Sequence, residues 1–475
     1  MRFNSLDFLL FLPLLLLVYG ALPVHRVQAR QVLLLAASYL FYGYFDARFL
    51  WVLGASTAID FLAAQRIAAA GDGVERRVWL AASLLTNLGL LAYFKYVGFF
   101  VESAAALLTA LHIPHSPWAL QVILPVGISF YTFQTLGYTL DVYRGRLAPE
   151  RSPLAFALFV AFFPQLMAGP IERASDLLPQ LRRLPVPKWS EVRAGFRVFL
   201  VGFVKKVVIS TALFDHAHGL YMNPELRSTP EAWVLSGLIF IHIYMDFSGY
   251  SDMAVGLGRM LGIRLSTNFD RVLAARNLPD LWRRWHRTLG RWFRDYVLLP
   301  LARAGVPRRL AVFMTFSAVG LWHGAQWTFV LWGMLMGLVW VFDDATRWQE
   351  RLTAWLPPPV ARGVQTLLTL ATFLFLCQLF AVPTLADGAT TMRTLLGFPS
   401  PFPDPFTPLP RTVFLACGVF FALESGPRLL DKLLTRFPHW NARWGFVRDA
   451  VVIPVAVALC AEGLLQSREF VYFQF

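Results

Sequence analysis

The sequence predicts an all-α, polytopic integral membrane protein with about ten to twelve transmembrane or re-entrant helices. Three observations predict it: 57% of the 475 residues are hydrophobic, only 15% are charged, and apolar runs recur along the whole chain with basic residues between them. A soluble domain carries about 25% charged residues, so this chain has too little polar surface to cover a water-soluble globule. The mean hydropathy of +0.53 agrees.

A spanning helix needs about 20 apolar residues. Candidate runs are 6–22, 31–45, 48–64, 78–100, 120–140, 153–170, 194–214, 232–258, 309–342, 363–382, 411–426 and 447–465. In the first, Arg2 followed by apolar residues and Val27-Gln28-Ala29 has the outline of a cleaved signal peptide, but further spans follow at once and favour a retained helix. The sixth run breaks at Ala168-Gly169-Pro170. A backbone break at membrane depth is tolerated only inside protein or beside a water-filled cavity.

The loops set an orientation. The basic stretches 171–206 and 259–309 read as cytoplasmic, and 215–231, with Asp215, Glu225 and Glu231 against Arg227, reads as external. Beyond residue 342, Arg428, Lys432, Arg436, Arg443 and Arg448 also read as cytoplasmic and the Pro-rich 398–410 stretch as external. Satisfying both requires the 309–342 segment to enter and return, or the 277–300 helix to dip into the bilayer. The chain reads as one membrane domain, with N-terminal helices (1–150), a catalytic core (151–345) and C-terminal helices (346–475).

Within the core, 279–299 reads as a single amphipathic helix. Trp282, Trp285, Leu289, Trp292, Phe293 and Tyr296 share one side, while Arg283, Arg287, Arg291 and Arg294 occupy another. Such a helix lies in the interface plane, either as a headgroup anchor or as a wall of the access site for an anionic acyl donor.

The net charge of +14 does not point to nucleic acid, because the basic residues lie in short loops where anionic lipid explains them. Cys377, Cys417 and Cys460 are scattered, without metal-ligand or disulfide spacing. No GxSxG, HExxH or phosphate-binding loop is present.

Ionisable residues inside spans are costly and mark function by default. His323 lies about 21 Å of helix from Arg309, deep in the membrane, with Gly320 and Gly324 beside it allowing a substrate or another backbone to approach. It reads either as a general base towards a hydroxyl or as a structural interhelical histidine. His286 reads either as an interfacial histidine or as a catalytic assistant. His242 and Asp246 form a possible internal pair one turn apart, and Asp252, Asn268 and Asp270 read first as support. Asp141 and Arg144 read as a local ion pair at a helix end.

Several segments together resemble the membrane-bound O-acyltransferase family, in particular its bacterial alginate O-acetylase branch. They are Pro125-Val-Gly-Ile-Ser-Phe-Tyr-Thr-Phe-Gln134, Asp141-Val-Tyr-Arg-Gly145, Phe163-Pro-Gln-Leu-Met-Ala-Gly-Pro-Ile171 and Asp246-Phe-Ser-Gly-Tyr-Ser-Asp-Met253. Trp282-Arg-Arg-Trp-His286, Arg294-Asp-Tyr296, Leu321-Trp-His-Gly-Ala-Gln-Trp327 and Phe470-Val-Tyr-Phe-Gln-Phe475 complete the set. The stretch 301–309 departs from the branch in being compact and basic.

The resemblance implies helices arranged around a central funnel and an acetyl group moved from a cytoplasmic thioester, acetyl-CoA or another, towards an exported polysaccharide. His323 matches the family's intramembrane histidine and His286 its second histidine. Trp282, Arg284, Trp327, Asp246 and Asn268 are the candidate substrate-binding residues. No permanently bound cofactor and no metal are implied. The implied partners are membrane lipid, a periplasmic acetyltransferase of the SGNH-hydrolase type and a polysaccharide export complex, in a bacterial inner membrane. D-alanyl transfer to teichoic acid on the same fold is an alternative. A proton-coupled transporter is another, but the paired discontinuous helices it calls for are not seen; a structural scaffold for polymer export is a third.

Overall fold

The computed structural model describes residues 1–71, 73–113, 122–221, 227–398 and 409–436. The candidate span 447–465, the terminal Phe470–Phe475 motif, Arg443, Arg448 and most of the Pro-rich stretch lie outside the described residues. Among the described residues all regular structure is helical, with no strand. Five stretches are long and apolar enough to cross a membrane: Val27–Ala69, Val74–Ala110, Thr229–Met260, Trp327–Thr346 and Pro358–Leu376; Leu6–Ala21 and Arg411–Phe421 are shorter apolar helices. The first comprises two helices, Val27–Asp46 and Leu50–Ala69, each about 30 Å long at 1.5 Å per residue. The protein is an all-α, multi-pass membrane protein.

The chain forms two compact units, each discontinuous in sequence. One comprises Met1–Phe196, Ala254–Ser266 and Gly324–Gln326, the other the remainder. In the first unit, Asp60 is fully buried on helix Leu50–Ala69. Its carboxylate accepts from Asn87 Nδ2 at 3.0 and 2.9 Å, from Thr139 Oγ1 at 3.3 Å and from Ser83 Oγ. Asn87 Oδ1 in turn accepts from Ser56 at 2.6 Å and Thr135 at 3.4 Å. Three helices are thus pinned by one polar nucleus, as burial of a carboxylate among apolar side chains demands.

The 153–170 run is interrupted earlier than Ala168-Gly169-Pro170, at Phe162, and its helical part ends at Leu166, all buried in protein. Helix Pro153–Ala161 ends, a single turn Phe163–Leu166 follows, and Phe162, Phe163, Gln165, Met167 and Ala168 are all buried. Gln134 Nε2 and Gln165 Nε2 both donate to the Phe159 carbonyl, at 2.7 and 2.9 Å, satisfying a group at the broken helix end. Gly127, at φ +78°, lies so close to this turn that a Cβ there would stand 2.7 Å from Leu166 O. The acid at the end of helix Ile128–Tyr143, Asp141, approaches Arg146 at 4.0 Å.

In the second unit, the 309–342 segment is two helices: Arg308–His323 and Trp327–Thr346, joined by three residues. They form an antiparallel hairpin, so the chain reverses direction within the segment. Glycines set the spacing, since a Cβ on Gly320 would stand 2.4 Å from Phe329 O, and one on Gly333 would stand 2.5 Å from Phe316 O. Small residues let membrane helices meet backbone to backbone, where packing replaces the hydrophobic effect as the driving force. Gly320 therefore admits a second helix. At the open end of the hairpin Arg308 pairs with Asp344 at 2.7 Å.

The 279–299 stretch is not one helix. Short helices Leu278–Trp282 and Arg287–Phe293 flank a left-handed residue at His286, followed by a π-turn Arg294–Leu298 and helix Leu299–Arg303. The two faces survive the break: Trp285, Leu289, Trp292, Phe293 and Tyr296 are buried, while Arg283, Arg291 and Arg294 are exposed. The anticipated His242–Asp246 pair is mediated by others. On helix Thr229–Met260, Asp246 pairs with Lys206, and Ser210 Oγ donates to Asp246 Oδ1 at 3.2 Å and lies 3.0 Å from His242 Nδ1. Lys206, counted above among the loop charges, is buried.

The hairpin contact yields a direct test. Gly320→Ala places a methyl group against backbone that cannot yield, so it should lower the thermal stability of the detergent-solubilised protein by about 1–3 kcal/mol or abolish its yield. Gly363→Ala, also helical but with nothing within 4 Å, should be neutral or slightly stabilising. Fluorescence-detected gel filtration after graded heating reads both; equal stability of the two variants would sink the assignment.

Candidate active site

His323 ends the first arm of the hairpin and is only 4% exposed. Its imidazole is boxed edge-to-face by Trp322, Phe380 and Trp332, with ring centroids 4.9, 5.1 and 5.3 Å away. It faces a cavity of about 40 Å³ whose wall includes five aromatic rings, those of Phe240, Trp285, Trp332, Phe373 and Phe380. The polar edge of the cavity holds Ser236 and Gln378, whose Oγ and Oε1 lie 3.2 Å apart.

His286 is buried, 1% exposed, which separates it from an interfacial histidine. Its backbone, at φ +40° and ψ 54°, occupies the left-handed region, which costs a non-glycine residue free energy and persists only when the surroundings fix it. Asn268 does the fixing. Its Oδ1 accepts from Thr288 N at 3.2 Å and Thr288 Oγ1 at 2.9 Å, and its backbone carbonyl accepts from Arg287 N at 2.9 Å. A backbone N–H only donates, so the Asn268 atom it meets is the oxygen, and His286 Nδ1, 3.1 Å from the same oxygen, must carry the proton. The lone pair is thereby left on Nε2. Asn268 Nδ2 is anchored to Ser251 Oγ at 3.3 Å.

The segment carrying His286 is tied at its start and again just before the histidine. Leu278 N donates to Asp343 Oδ2 on the second hairpin arm at 2.9 Å, and Asp270 N donates to Arg284 O at 2.9 Å. Arg271, hydrogen-bonded to Asp270 at 2.9 Å, holds that carboxyl below the usual carboxylate range. The Trp322 ring connects the two histidines, 6.0 Å from His286 and 4.9 Å from His323.

On its other side His286 borders a groove of about 450 Å³ lined by Trp282, Arg283, Arg287, Arg291 and Arg294. Of the candidate substrate-binding residues, Trp282 lines this groove. Arg284 is engaged with Asp280 at 3.1 Å, Asp246 with Lys206, and Asn268 with His286; Trp327 is 55% exposed at the start of its helix. The sequence reading quoted Trp322 within the Leu321–Trp327 segment without assigning it a role, and missed Trp332, Phe373, Phe380 and Gln378. Only Gln378, a polar residue in an apolar run, carried a signal of its own. Among the described residues no three His, Cys, Asp or Glu side chains converge to hold a metal ion.

Residues 146–360 match the membrane-bound O-acyltransferase family model. A protein of Azotobacter vinelandii described as "Probable alginate O-acetylase AlgI" is 39% identical over 73% of this chain and 69% of its own length. The chain belongs to the membrane-bound O-acyltransferase family. A peptidoglycan O-acetyltransferase of Helicobacter pylori is 32% identical, covering 73% of this chain and 72% of that protein. A teichoic acid D-alanyltransferase of Bacillus subtilis is more distant, 27% identical over 56% of this chain and 69% of that one. As a family member the chain is an O-acyltransferase, and both histidines lie within the matched residues.

Asn268→Ala strands the Thr288 N–H and the His286 ring N–H and should destabilise the protein by about 1–3 kcal/mol. Asn268→Asp keeps the acceptor and should retain more stability and activity than Asn268→Ala. The reverse order in a thermal-shift and activity comparison would exclude this positioning role.

Proposed function

We propose that the chain moves an acetyl group from a cytoplasmic thioester, acetyl-CoA or another acyl thioester, across a bacterial inner membrane for O-acetylation of an exported polysaccharide such as alginate. The observation that supports this most is the setting of His323: an imidazole enclosed by three aromatic rings at the wall of a nearly apolar cavity, one indole away from an arginine-lined groove. His323 acts as general base. An acceptor hydroxyl gives its proton to the imidazole as its oxygen attacks the thioester carbonyl carbon. The C–O bond forms, the C–S bond breaks, and the proton passes from the imidazolium to the leaving thiolate, giving ester and thiol.

The groove takes the anionic head of the donor. Arg287 and Arg291 offer guanidinium groups that match phosphates in charge and geometry, while Arg283 and Arg294 also face Asp280 at 3.6 Å and Asp295 at 2.7 Å. His286, with its lone pair held on Nε2, accepts a hydrogen bond from the donor at the inner end of the groove. A hydroxyl of a separate periplasmic acetyltransferase of the SGNH type, within a polysaccharide export complex, then attacks that ester, forming a new ester and releasing the first acceptor hydroxyl; the likeness to the alginate and peptidoglycan O-acetylating relatives supports that relay. The Bacillus subtilis relative supports D-alanyl transfer as a second reading.

General-base catalysis contributes about 10²–10⁴-fold. His323→Ala should therefore lower acetylation of the exported polymer at least a hundredfold while the protein remains folded in the membrane. Full acetylation in that variant would remove the role, and recovery of alanyl in place of acetyl esters by mass spectrometry would move the reading to D-alanyl transfer.

For the groove, the double variant Arg287→Ala, Arg291→Ala should raise KM for the thioester about tenfold with kcat little changed, and reduce the salt dependence of kcat/KM. Unchanged KM and salt dependence would place the donor elsewhere.

A further inference from the structure

Attack on the thioester puts negative charge on the carbonyl oxygen, and neither histidine accounts for it. Away from water that charge needs a hydrogen-bond donor already in place. We infer that the indole N–H of Trp332 is that donor, holding the thioester oxygen as the tetrahedral intermediate forms; the inference rests on acyl transfer at His323.

The first argument is an unused donor. Trp332 lines the cavity that His323 faces and is only 2% exposed, yet among the described residues its Nε1 has no hydrogen-bond partner. The Cys377 thiol lies beside that nitrogen and lines the same cavity, which places the N–H at the cavity wall. Sulfur is a weak acceptor. Buried donors are nearly always paired, so one left open beside His323 points to a ligand oxygen.

The second argument is that the polar edge of the cavity offers no ready substitute. Ser236 Oγ donates to the Ala232 carbonyl at 2.6 Å, and Gln378 Nε2 donates to the Leu374 carbonyl at 2.5 Å.

The third argument is preorganisation. The Trp332 ring meets His323 edge-to-face at 5.3 Å and packs on Phe380 at 5.3 Å and on Trp282 at 6.1 Å. The next residue, Gly333, is pressed against the other arm of the hairpin. A donor fixed in this way need not reorganise when the charge appears, and an indole N–H donates without ever accepting. As the acceptor oxygen bonds to the carbonyl carbon, the π pair moves onto the carbonyl oxygen. When the C–S bond breaks, the pair returns and the carbonyl re-forms. The indole keeps its proton throughout.

The test uses everted membrane vesicles containing the full chain and its export complex, supplied with acetyl-CoA. Free thiol is measured, with His323→Ala vesicles as the blank. Trp332→Phe keeps an aromatic ring and removes the N–H, so kcat should fall about 10²–10³-fold with KM for acetyl-CoA little changed. Cys377→Ser tests the same N–H with the indole intact, because a hydroxyl oxygen beside it competes for the proton. That variant should lower kcat about tenfold, and Cys377→Ala, which offers no acceptor, should stay at least about threefold faster than Cys377→Ser. Gel filtration shows which variants are folded. A folded Trp332→Phe variant within about tenfold of the wild-type kcat overturns the indole's role while acyl transfer stands. Where Trp332→Phe does not fold, a Cys377→Ser variant no slower than Cys377→Ala does the same. Absence of His323-dependent thiol release in the wild type overturns the acyl-transfer reading and the indole's role with it.

Discussion

The contact on which the active region depends is between two backbones. Gly320 and Gly333 let the arms of the hairpin meet so closely that the space for a single methyl group is missing. In lipid, apolar side chains gain nothing by leaving their surroundings, so this close fit must supply the attraction itself. It delivers His323 on one arm and Trp332 on the other to the same cavity. Through Asp343 the second arm also fastens the start of the segment that carries His286. Both histidines thus take their positions from one helical hairpin.

Around them lie two spaces of opposite character, one lined by arginines and the other by aromatic rings. Trp322 stands between the histidines that border them. Strain at His286, held in a left-handed backbone by Asn268, fits a residue whose placement matters more than its contribution to folding.

Much of this was legible in the sequence. Scarcity of charge and recurring apolar runs gave the fold class, and an ionisable residue deep in an apolar run singled out His323. Segregation of tryptophan from arginine marked most of the 279–299 stretch, but Trp282, read on the apolar side, lines the groove with the arginines. The break in that stretch was not legible, because the aromatic side chains remain buried on both sides of His286 and the periodicity runs straight through. The loop charges offered a reversal within 309–342 as one of two alternatives, but the place of the turn was silent, since the three residues at 324–326 add only one glycine to a pattern already rich in them. Phe373 and Phe380 look like any lipid-facing phenylalanine until the fold brings them to His323. Lys206 misled for a related reason: a lysine beside a span reads as a topological signal, and only packing shows it buried against Asp246.

The polar nucleus around Asp60 has a consequence for how the chain is made. An aspartate at the middle of a helix costs about 2.5–3.5 kcal/mol to insert on its own. The groups that solvate this one arrive later in synthesis: Ser83 and Asn87 on the next helix, and Thr139 only with helix Ile128–Tyr143. Until that helix leaves the ribosome, the early spans hold a carboxylate with part of its hydrogen-bonding shell missing. Their assembly is therefore a collective event, timed by the third helix to arrive, and not a succession of independent insertions.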